Sequence, residues 1–248
     1  MTDRPIIFSA PMVRALLDGR KTQTRRILKP QPPANVTSAG VVSRSSEGQT
    51  DEWSWLSGDP KDCDTWKFEG EFRTRFVPGD RLYVRENWAP LSYSRDLGGS
   101  RACKIGEADF AMMIDGHHQH KNGRSQPGLK EYAPGAFDGV KWAPSIHMPR
   151  WASRLTLTVT GVKVERLQDI SEEDAIAEGV WHGNTFVRFA DDIAATTKPG
   201  RWFPTARDWY RDLWERLNGP ESWDANPWVV APTFIVHPCN IDQMQEAA

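Results

Sequence analysis

The segment GRKTQTRR, which begins at Gly19, places a lysine and a threonine three positions apart among basic side chains. A threonine hydroxyl acts as a nucleophile only when a base removes its proton. Lys21 could remove the proton from Thr24 if its own pKa were lowered, because a lysine with the ordinary pKa of about 10.4 is almost fully protonated at pH 7. Burial and nearby cations both lower a lysine pKa. The other cations of this segment are Arg20, Arg25 and Arg26.

The charge of the N-terminal part of the chain differs from that of the whole. Residues 1–30 have a charge balance of +5, whereas the 248-residue chain has a formal net charge of −2. A broad basic face for long nucleic acid is therefore not expected, although a small basic pocket is compatible with these charges. Three interpretations of the segment stay open: a lysine with a lowered pKa, a subsite for an anionic group, or a basic turn after a helix end.

Two glutamates lie where a carboxylate costs free energy unless it has a partner. Glu178 falls in the last turn of a short predicted helix, next to the negative end of the helix dipole. It is either a tolerated surface residue or part of a site. Glu86 follows a predicted strand and shares a face with Leu82, which predicts an inward carboxylate. We expect Glu86 to pair with Arg25 or Arg26, or to contact a substrate.

The stretch IHMPRWASR interleaves cations with an indole ring just before the clearest predicted strand. Arg150, Trp151 and Arg154 could stack a base and hold a phosphate, as in proteins that bind single-stranded nucleic acid. A packing role explains the same residues equally well. Both interpretations stay open.

Histidine and cysteine patterns favour neither a metal site nor a disulfide framework. Three histidines lie in one polar stretch: His117, His118 and His120. Ligands at familiar metal-binding spacing do not accompany them, so we expect no metal and no cofactor. Three cysteines are widely spaced: Cys63, Cys103 and Cys239. This pattern is typical of a reduced cytoplasmic protein. The sequence also lacks a signal peptide and an apolar run of membrane-spanning length, so no membrane is expected.

The predicted elements form one α+β domain over residues 1–248, with a small curled sheet that favours a β-barrel core. Helices are predicted after Ser9, Ser171 and Thr205, which are suitable N-caps. The strand RLTLTVTGVKVERL alternates apolar and polar residues, with a slip at Gly161 that predicts a β-bulge. Long polar stretches are predicted as loop insertions at about 30–68, 94–141 and 181–204.

Four stretches of this sequence resemble the ASCH domain family, and its larger phage- and prophage-encoded members most closely. They are FSAPMVRALLDGRKTQTRR, PGDRLYVRENW, IHMPRWASRLTLTVTGVKVERLQDISEEDAIAEGV and SWDANPWV. The resemblance implies a PUA-like β-barrel with flanking short helices. In the family's N-acetylcytidine amidohydrolases a lysine, a threonine and a glutamate are catalytic, and by motif these fall on Lys21, Thr24 and Glu178. The resemblance implies that the threonine attacks the amide, the lysine assists it and the glutamate activates water.

The sequence therefore predicts a metal-independent amidohydrolase that acts on an acylated pyrimidine nucleoside or a related modified base. The alternatives are a module that binds RNA or a modified nucleotide without catalysis, and a metal-independent ribonuclease. The expected partner is a small nucleoside or modified base, with RNA as the alternative, and the oligomeric state stays open. The predicted substrate-binding residues are Arg20, Arg25, Arg26, Glu86, Trp88, Arg150, Trp151 and Arg154.

Overall fold

A computed structural model describes residues 2–41, 52–94, 99–102, 110–113, 118–121, 125–126, 141–183, 186–188 and 202–244. In these residues the chain forms mostly strands, with three α-helices, so the predicted α+β class is confirmed. The helices are α1 (Ala10–Leu17), α2 (Glu172–Ala177) and α3 (Ala206–Asn218). The strands are β1 (Asp3–Ile7), β2 (Arg26–Ile27), β3 (Ser38–Val41), β4 (Glu52–Ser57), β5 (Lys67–Arg73), β6 (Arg81–Arg85), β7 (Trp88–Ser94), β8 (Gly99–Ala102), β9 (Phe110–Met113), β10 (His118–His120), β11 (Ser125–Gln126), β12 (Thr156–Arg166), β13 (Trp181–Gly183), β14 (Phe186–Arg188), β15 (Trp202–Phe203) and β16 (Trp228–His237).

The chain divides into two compact units, each built from separate segments, where the sequence predicts a single domain. The described residues of Met1–Leu17, Arg81–Thr158 and Val236–Ala248 form the first unit. Those of Asp18–Asp80 and Val159–Ile235 form the second unit. Several predicted site residues, including the whole segment after Gly19 and Glu178, belong to the second unit.

Local capping signals position the two helices of the second unit. The Ser171 hydroxyl accepts a hydrogen bond from the Asp174 backbone N–H at 3.0 Å, and Thr205 does the same for Asp208 at 3.0 Å. Both predicted N-caps are therefore confirmed. Gly179 follows α2 with a φ of 105°, a conformation that a side chain would strain. This stop leaves Glu178 as the C-cap residue, directly after the last helical residue of α2.

The first unit contains a small mixed sheet whose buried face the sequence predicts correctly. Strand β1 pairs in parallel with β6, and the first residues of β12 pair antiparallel with the other side of β6. Leu82 and Val84 on β6 are buried, as is Glu86 just after it. The alternation of side chains in an extended strand places all three on one face.

The described parts of 94–141 are not a simple loop insertion, because β8, β9, β10 and β11 form an antiparallel sheet with β7. Met113 on β9 is completely buried against Trp88 and Met148. Shortening the chain from residue 112 would therefore remove a core side chain, so this part of the stretch contributes to the core. Short strands with one or two apolar residues give too weak an alternation to detect in the sequence.

Residues 30–68 likewise contain structure that the sequence analysis assigns to a loop. Strands β3, β4 and β5 form a three-stranded antiparallel sheet in the second unit. The ring of Trp55 on β4 stacks on Phe72 with centroids 3.9 Å apart and meets the edge of Trp228 at 5.1 Å. These aromatic contacts bury apolar surface that a solvent-exposed loop would not. The described part of 181–204 forms the strands β13, β14 and β15.

Each of the four sheets in the described residues ends in two different edge strands, so none of them is closed into a barrel. Among the described residues no helix has both the length and the apolar composition to cross a bilayer. The longest, α3, has 13 residues, and a membrane-spanning helix needs about 20.

Candidate functional site

The segment after Gly19 runs beside the C-terminal end of α2. The backbone N–H groups of Thr22 and Gln23 donate to the Ala177 carbonyl at 2.8 and 3.0 Å. Lys21 and Glu178 form an isolated β-bridge next to these bonds. The last carbonyls of a helix lack partners within the helix, and this segment supplies partners to them.

The Lys21 amine and the Glu178 carboxylate form a buried ion pair. The distance from Nζ to Oε2 is 2.7 Å, and the two side chains are 1% and 3% exposed. Nζ also donates to the Glu178 backbone carbonyl at 2.9 Å. The cation therefore offsets the unfavourable position of a carboxylate at a helix C-terminus. The sequence analysis selects both residues for the site without predicting that they touch.

Burial lowers the pKa of the Lys21 amine, and the charges of Arg26 and Arg25 lower it further. The Glu178 carboxylate opposes these effects by stabilising the ammonium form, but the pKa remains below its ordinary value. The predicted direction is therefore confirmed. Desolvation contributes more to the lowered pKa of Lys21 than the neighbouring arginines do.

Thr24 is also buried, with 4% of its surface exposed. Its backbone N–H donates to the Pro232 carbonyl at 3.2 Å, which fixes the chain at this point. Among the described residues the Thr24 hydroxyl has no hydrogen-bond partner, and it does not bond to Lys21. The threonine thus lies three positions after Lys21 in the same segment, and its hydroxyl makes no hydrogen bond among the described residues.

Arg25 is the centre of a buried network of carboxylates. Its Nη2 lies 2.7 Å from Glu165 Oε1 and 2.9 Å from Asp174 Oδ2. Its Nη1 lies 3.3 Å from Glu178 Oε1 and donates to Gln23 Oε1 at 2.6 Å. The Arg25 side chain has no exposed surface. The predicted substrate contact of Arg25 stays a prediction, and in this structure protein groups accept hydrogen bonds from its guanidinium.

Five members of this network are not predicted from the sequence: Gln23, Lys163, Glu165, Asp174 and Tyr210. The Arg25 guanidinium carbon lies 5.9 Å from the centre of the Tyr210 ring, which α3 supplies. Burial and the Glu178 charge raise the pKa of the Tyr210 phenol well above its usual value, so the phenol stays neutral. The only sequence signals were the capping position of Asp174 and the apolar face of α3, and both indicate helix structure rather than a site.

Acidification is expected to weaken the contribution of Asp174 to stability. Burial raises the pKa of this carboxyl, but the Lys163 hydrogen bond and the Arg25 charge outweigh burial, so the pKa lies below the ordinary 3.8. A carboxyl whose pKa is lower in the folded state than in the unfolded state stabilises the fold at pH values above its unfolded-state pKa. This stabilisation is lost as the pH falls through the folded-state pKa. Asp174→Asn should therefore reduce the free energy of unfolding by about 1–3 kcal/mol at pH 7.

Urea unfolding of both proteins between pH 7 and pH 2 measures this effect. The difference between wild type and Asp174→Asn should be constant above about pH 5 and shrink below about pH 4. A difference that stays the same down to pH 2 would show that the ionised carboxylate is not what stabilises the network.

Glu86 pairs with Arg154 in the first unit. Arg154 Nε and Nη2 donate to the two oxygens of Glu86 at 2.8 and 2.9 Å, and both residues are buried. The expected inward carboxylate is confirmed, but its partner here is Arg154. The predicted pairing with Arg25 is wrong, since Arg25 serves the network around Glu178. The predicted pairing with Arg26, an exposed residue on β2, stays a prediction.

The remaining predicted substrate-binding residues have structural partners. Arg20 donates to Asp18 and to the Gly179 carbonyl. Arg150 binds Asp3 and Asp242, both at 2.6 Å.

The two predicted tryptophans lie together in the first unit. Trp88 is completely buried, so it belongs to the core and offers no surface to a substrate. Trp151 is partly buried, and its ring meets the Trp88 ring edge-on with centroids 6.5 Å apart. Of the predicted histidine cluster, His117 lies outside the described residues. Cys103 lies outside them as well.

The candidate site is therefore the group of buried charges that joins the segment after Gly19 to the end of α2. It contains a lysine amine with a lowered pKa, a carboxylate in contact with that amine and an available threonine hydroxyl. Such groups can exchange protons and attack a carbonyl carbon. Comparison of the chain with protein-family models, curated proteins and solved structures found no match.

Proposed function

We propose that this chain is an amidohydrolase that removes the acyl group from an acylated pyrimidine nucleoside or a related modified base. Lys21, Thr24 and Glu178 form its catalytic set, and its fold is of the ASCH domain type. The observation that carries the proposal is the buried contact of 2.7 Å between the Lys21 amine and the Glu178 carboxylate, in the motif that also holds Thr24. Buried ion pairs with a shifted lysine pKa are common at catalytic sites.

The first half of the proposed reaction transfers the acyl group to the protein. The neutral Lys21 amine takes the hydroxyl proton of Thr24, and Oγ attacks the carbonyl carbon of the amide. The C–N bond then breaks, and the Lys21 ammonium returns the proton to the departing exocyclic nitrogen. The products of this half are the free amino base and an acyl ester on Thr24.

The second half consumes one water molecule. Glu178 takes a proton from water, and the resulting hydroxide oxygen attacks the ester carbon. The ester C–O bond breaks, the proton returns to Thr24 Oγ, and a carboxylic acid leaves. The contact between Glu178 and Lys21 supports this scheme, because a proton can pass between two groups within hydrogen-bond distance.

The second candidate function is recognition of a modified nucleotide without chemistry. A specific observation favours it: the Thr24 hydroxyl makes no hydrogen bond to Lys21 in the described structure. A hydroxyl that is not hydrogen-bonded to its base is not activated, although such contacts often tighten only when substrate binds. In this case the buried charges around Arg25 have a structural role.

Incubation with a panel of acylated nucleosides, followed by mass spectrometry, tests the proposal. The amidohydrolase should convert at least one N-acylated pyrimidine nucleoside to the free amino nucleoside and the acid. An O-acylated nucleoside with the same acyl group serves as the control for non-specific ester cleavage. Saturable binding without a change in mass would overturn the enzyme assignment and support the second candidate.

A further inference from the structure

The N–H groups of the Arg25 guanidinium all donate to protein acceptors. Nε donates to Glu165 at 3.1 Å, Nη2 donates to Glu165 and Asp174, and Nη1 donates to Gln23 and Glu178. These five hydrogen bonds use every N–H group of the guanidinium, so Arg25 has no donor left for a substrate. Burying an arginine together with several carboxylates costs desolvation free energy, so we expect this arrangement to have a function.

The geometry points to Arg25 as a positioning residue: it holds Oε1 of Glu178 so that Oε2 remains on the Lys21 amine. Glu165 and Asp174 in turn hold the guanidinium in the orientation that this requires. The inference rests on the proposed function, since it assigns a purpose to the orientation of Glu178. It is an alternative to the expectation that the arginine binds substrate.

The two oxygens of Glu178 have different partners, and this carries the inference. Oε2 lies 2.7 Å from Lys21 Nζ, and Oε1 lies 3.3 Å from Arg25 Nη1. The last torsion of a glutamate side chain has only a broad, roughly two-fold preference, so the carboxylate plane is not fixed by its own geometry. Two cations on separate oxygens fix it. The guanidinium can do this because its donors lie in a rigid planar fork, whereas an ammonium acts as a point charge.

Charge compensation in the network also depends on Arg25. Asp174 binds Lys163 at 2.9 Å as well as Arg25. The contacting groups are therefore three cations and three carboxylates: Lys21, Arg25 and Lys163 with Glu165, Asp174 and Glu178. Arg25 is the member that bonds to all three carboxylates, so a change there alters the field at Lys21 even when the net charge is kept.

Arg25→Lys is the decisive variant, because it keeps the charge and removes the fork. In the hydrolysis assay kcat should fall by about 10²-fold, the effect of misplacing a catalytic group by about 1 Å. KM should stay within about twofold, because the residue does not touch substrate. Arg211→Lys is the matched control, since Arg211 is half exposed and binds Glu215 on the surface of α3. A rise in KM with unchanged kcat would overturn the inference and restore the substrate contact.

A second measurement needs no substrate. In protein labelled with ¹⁵N-lysine, the Lys21 Nζ resonance is identified by its loss in Lys21→Arg, and its titration midpoint is followed with pH. Arg25→Lys should move the midpoint, and Arg211→Lys should not. If the wild type hydrolyses nothing, the proposed function fails while this titration still decides the role of Arg25. An unmoved midpoint in folded Arg25→Lys overturns the inference.

Glu165→Gln provides the same test if Arg25→Lys does not fold. It keeps Arg25 and Glu178 but removes the carboxylate that holds Nε and Nη2. In the wild type the Glu165 side chain is 19% exposed, so its replacement should destabilise the fold less than a change at a fully buried position. The Lys21 midpoint should move in this variant and stay constant in Glu215→Gln, the matched control on α3.

Discussion

Thr24→Ala is expected to lower the rate of amide hydrolysis by about 10³-fold or more, because removal of the nucleophile stops the chemical step. The free energy of unfolding should stay within about 1 kcal/mol of the wild type. The reason is that the Thr24 hydroxyl makes no hydrogen bond with the described protein, so its loss leaves no buried group without a partner. Steady-state hydrolysis of the active nucleoside and urea unfolding measure the two effects.

Thr22→Ala is the matched control for this prediction. Thr22 belongs to the same segment and is attached to α2 through its backbone N–H rather than its side chain. Its replacement should leave hydrolysis within about twofold of the wild type, because alanine keeps the backbone hydrogen bond that holds the segment on α2. Equal losses of hydrolysis in Thr22→Ala and Thr24→Ala would mean that activity depends on the conformation of the segment rather than on a nucleophile at Thr24.

Lys21→Arg separates a base from a simple cation at the same position. Arginine keeps the positive charge beside Glu178, but it cannot lose its proton at neutral pH. Hydrolysis should therefore be lost together with the base, and full activity would reassign Lys21 to electrostatic contact.

The sequence predicts little change in stability at Lys21 and Glu178. The structure corrects this prediction, because the two side chains are only 1% and 3% exposed. Removal of either partner leaves a buried charge without its partner and should destabilise the fold.

Glu86→Gln is expected to reduce the free energy of unfolding by about 3–5 kcal/mol, the cost of breaking a buried ion pair. The substitution removes the charge that both nitrogens of the Arg154 fork contact, at 2.8 and 2.9 Å. Desolvation of the guanidinium is then no longer offset by this carboxylate. Urea unfolding monitored by circular dichroism gives the change in free energy and shows whether the m-value is unaffected.

Glu52→Gln is the control, because Glu52 pairs with Arg73, whose side chain is 69% exposed. An exposed pair contributes about 0–1 kcal/mol, so this variant should be nearly neutral. Similar losses in Glu52→Gln and Glu86→Gln would contradict the assignment of a special cost to the buried pair. A double variant with Glu86 and Arg154 both replaced by apolar residues should recover part of the loss.

Features that depend on neighbouring positions could be predicted from the sequence. The N-caps of α2 and α3 are formed by Ser171 and Thr205 with backbone groups three residues away. The buried face of β6 follows from the alternation of side chains at Leu82 and Val84. The end of α2 at Gly179 follows from the left-handed conformation that glycine permits. In each case the deciding interaction lies within a few residues, so the local pattern contains it.

The short strands could not be predicted in the same way. Strands β3, β4 and β5 become visible only through their pairing and the packing of Trp55 on Phe72. Strand β9 is likewise defined by pairing and by the burial of Met113. Strands β3 and β9, with four residues each, have too few alternations to distinguish them from a polar loop. The stability of all these strands comes from partners elsewhere in the chain.

Charge patterns and motif spacing in the sequence single out Lys21, Thr24 and Glu178 as candidate site residues. Which charges form pairs depends on how the chain folds. Lys21 binds Glu178 across 157 positions of the chain, Arg25 binds Glu165 across 140, and Glu86 binds Arg154 across 68. A buried charge requires an opposite charge, but any of several in the sequence would satisfy it. Chain folding brings one of them within hydrogen-bond distance, and that choice depends on the packing of α2, α3 and the strands around the charge rather than on its neighbours in sequence.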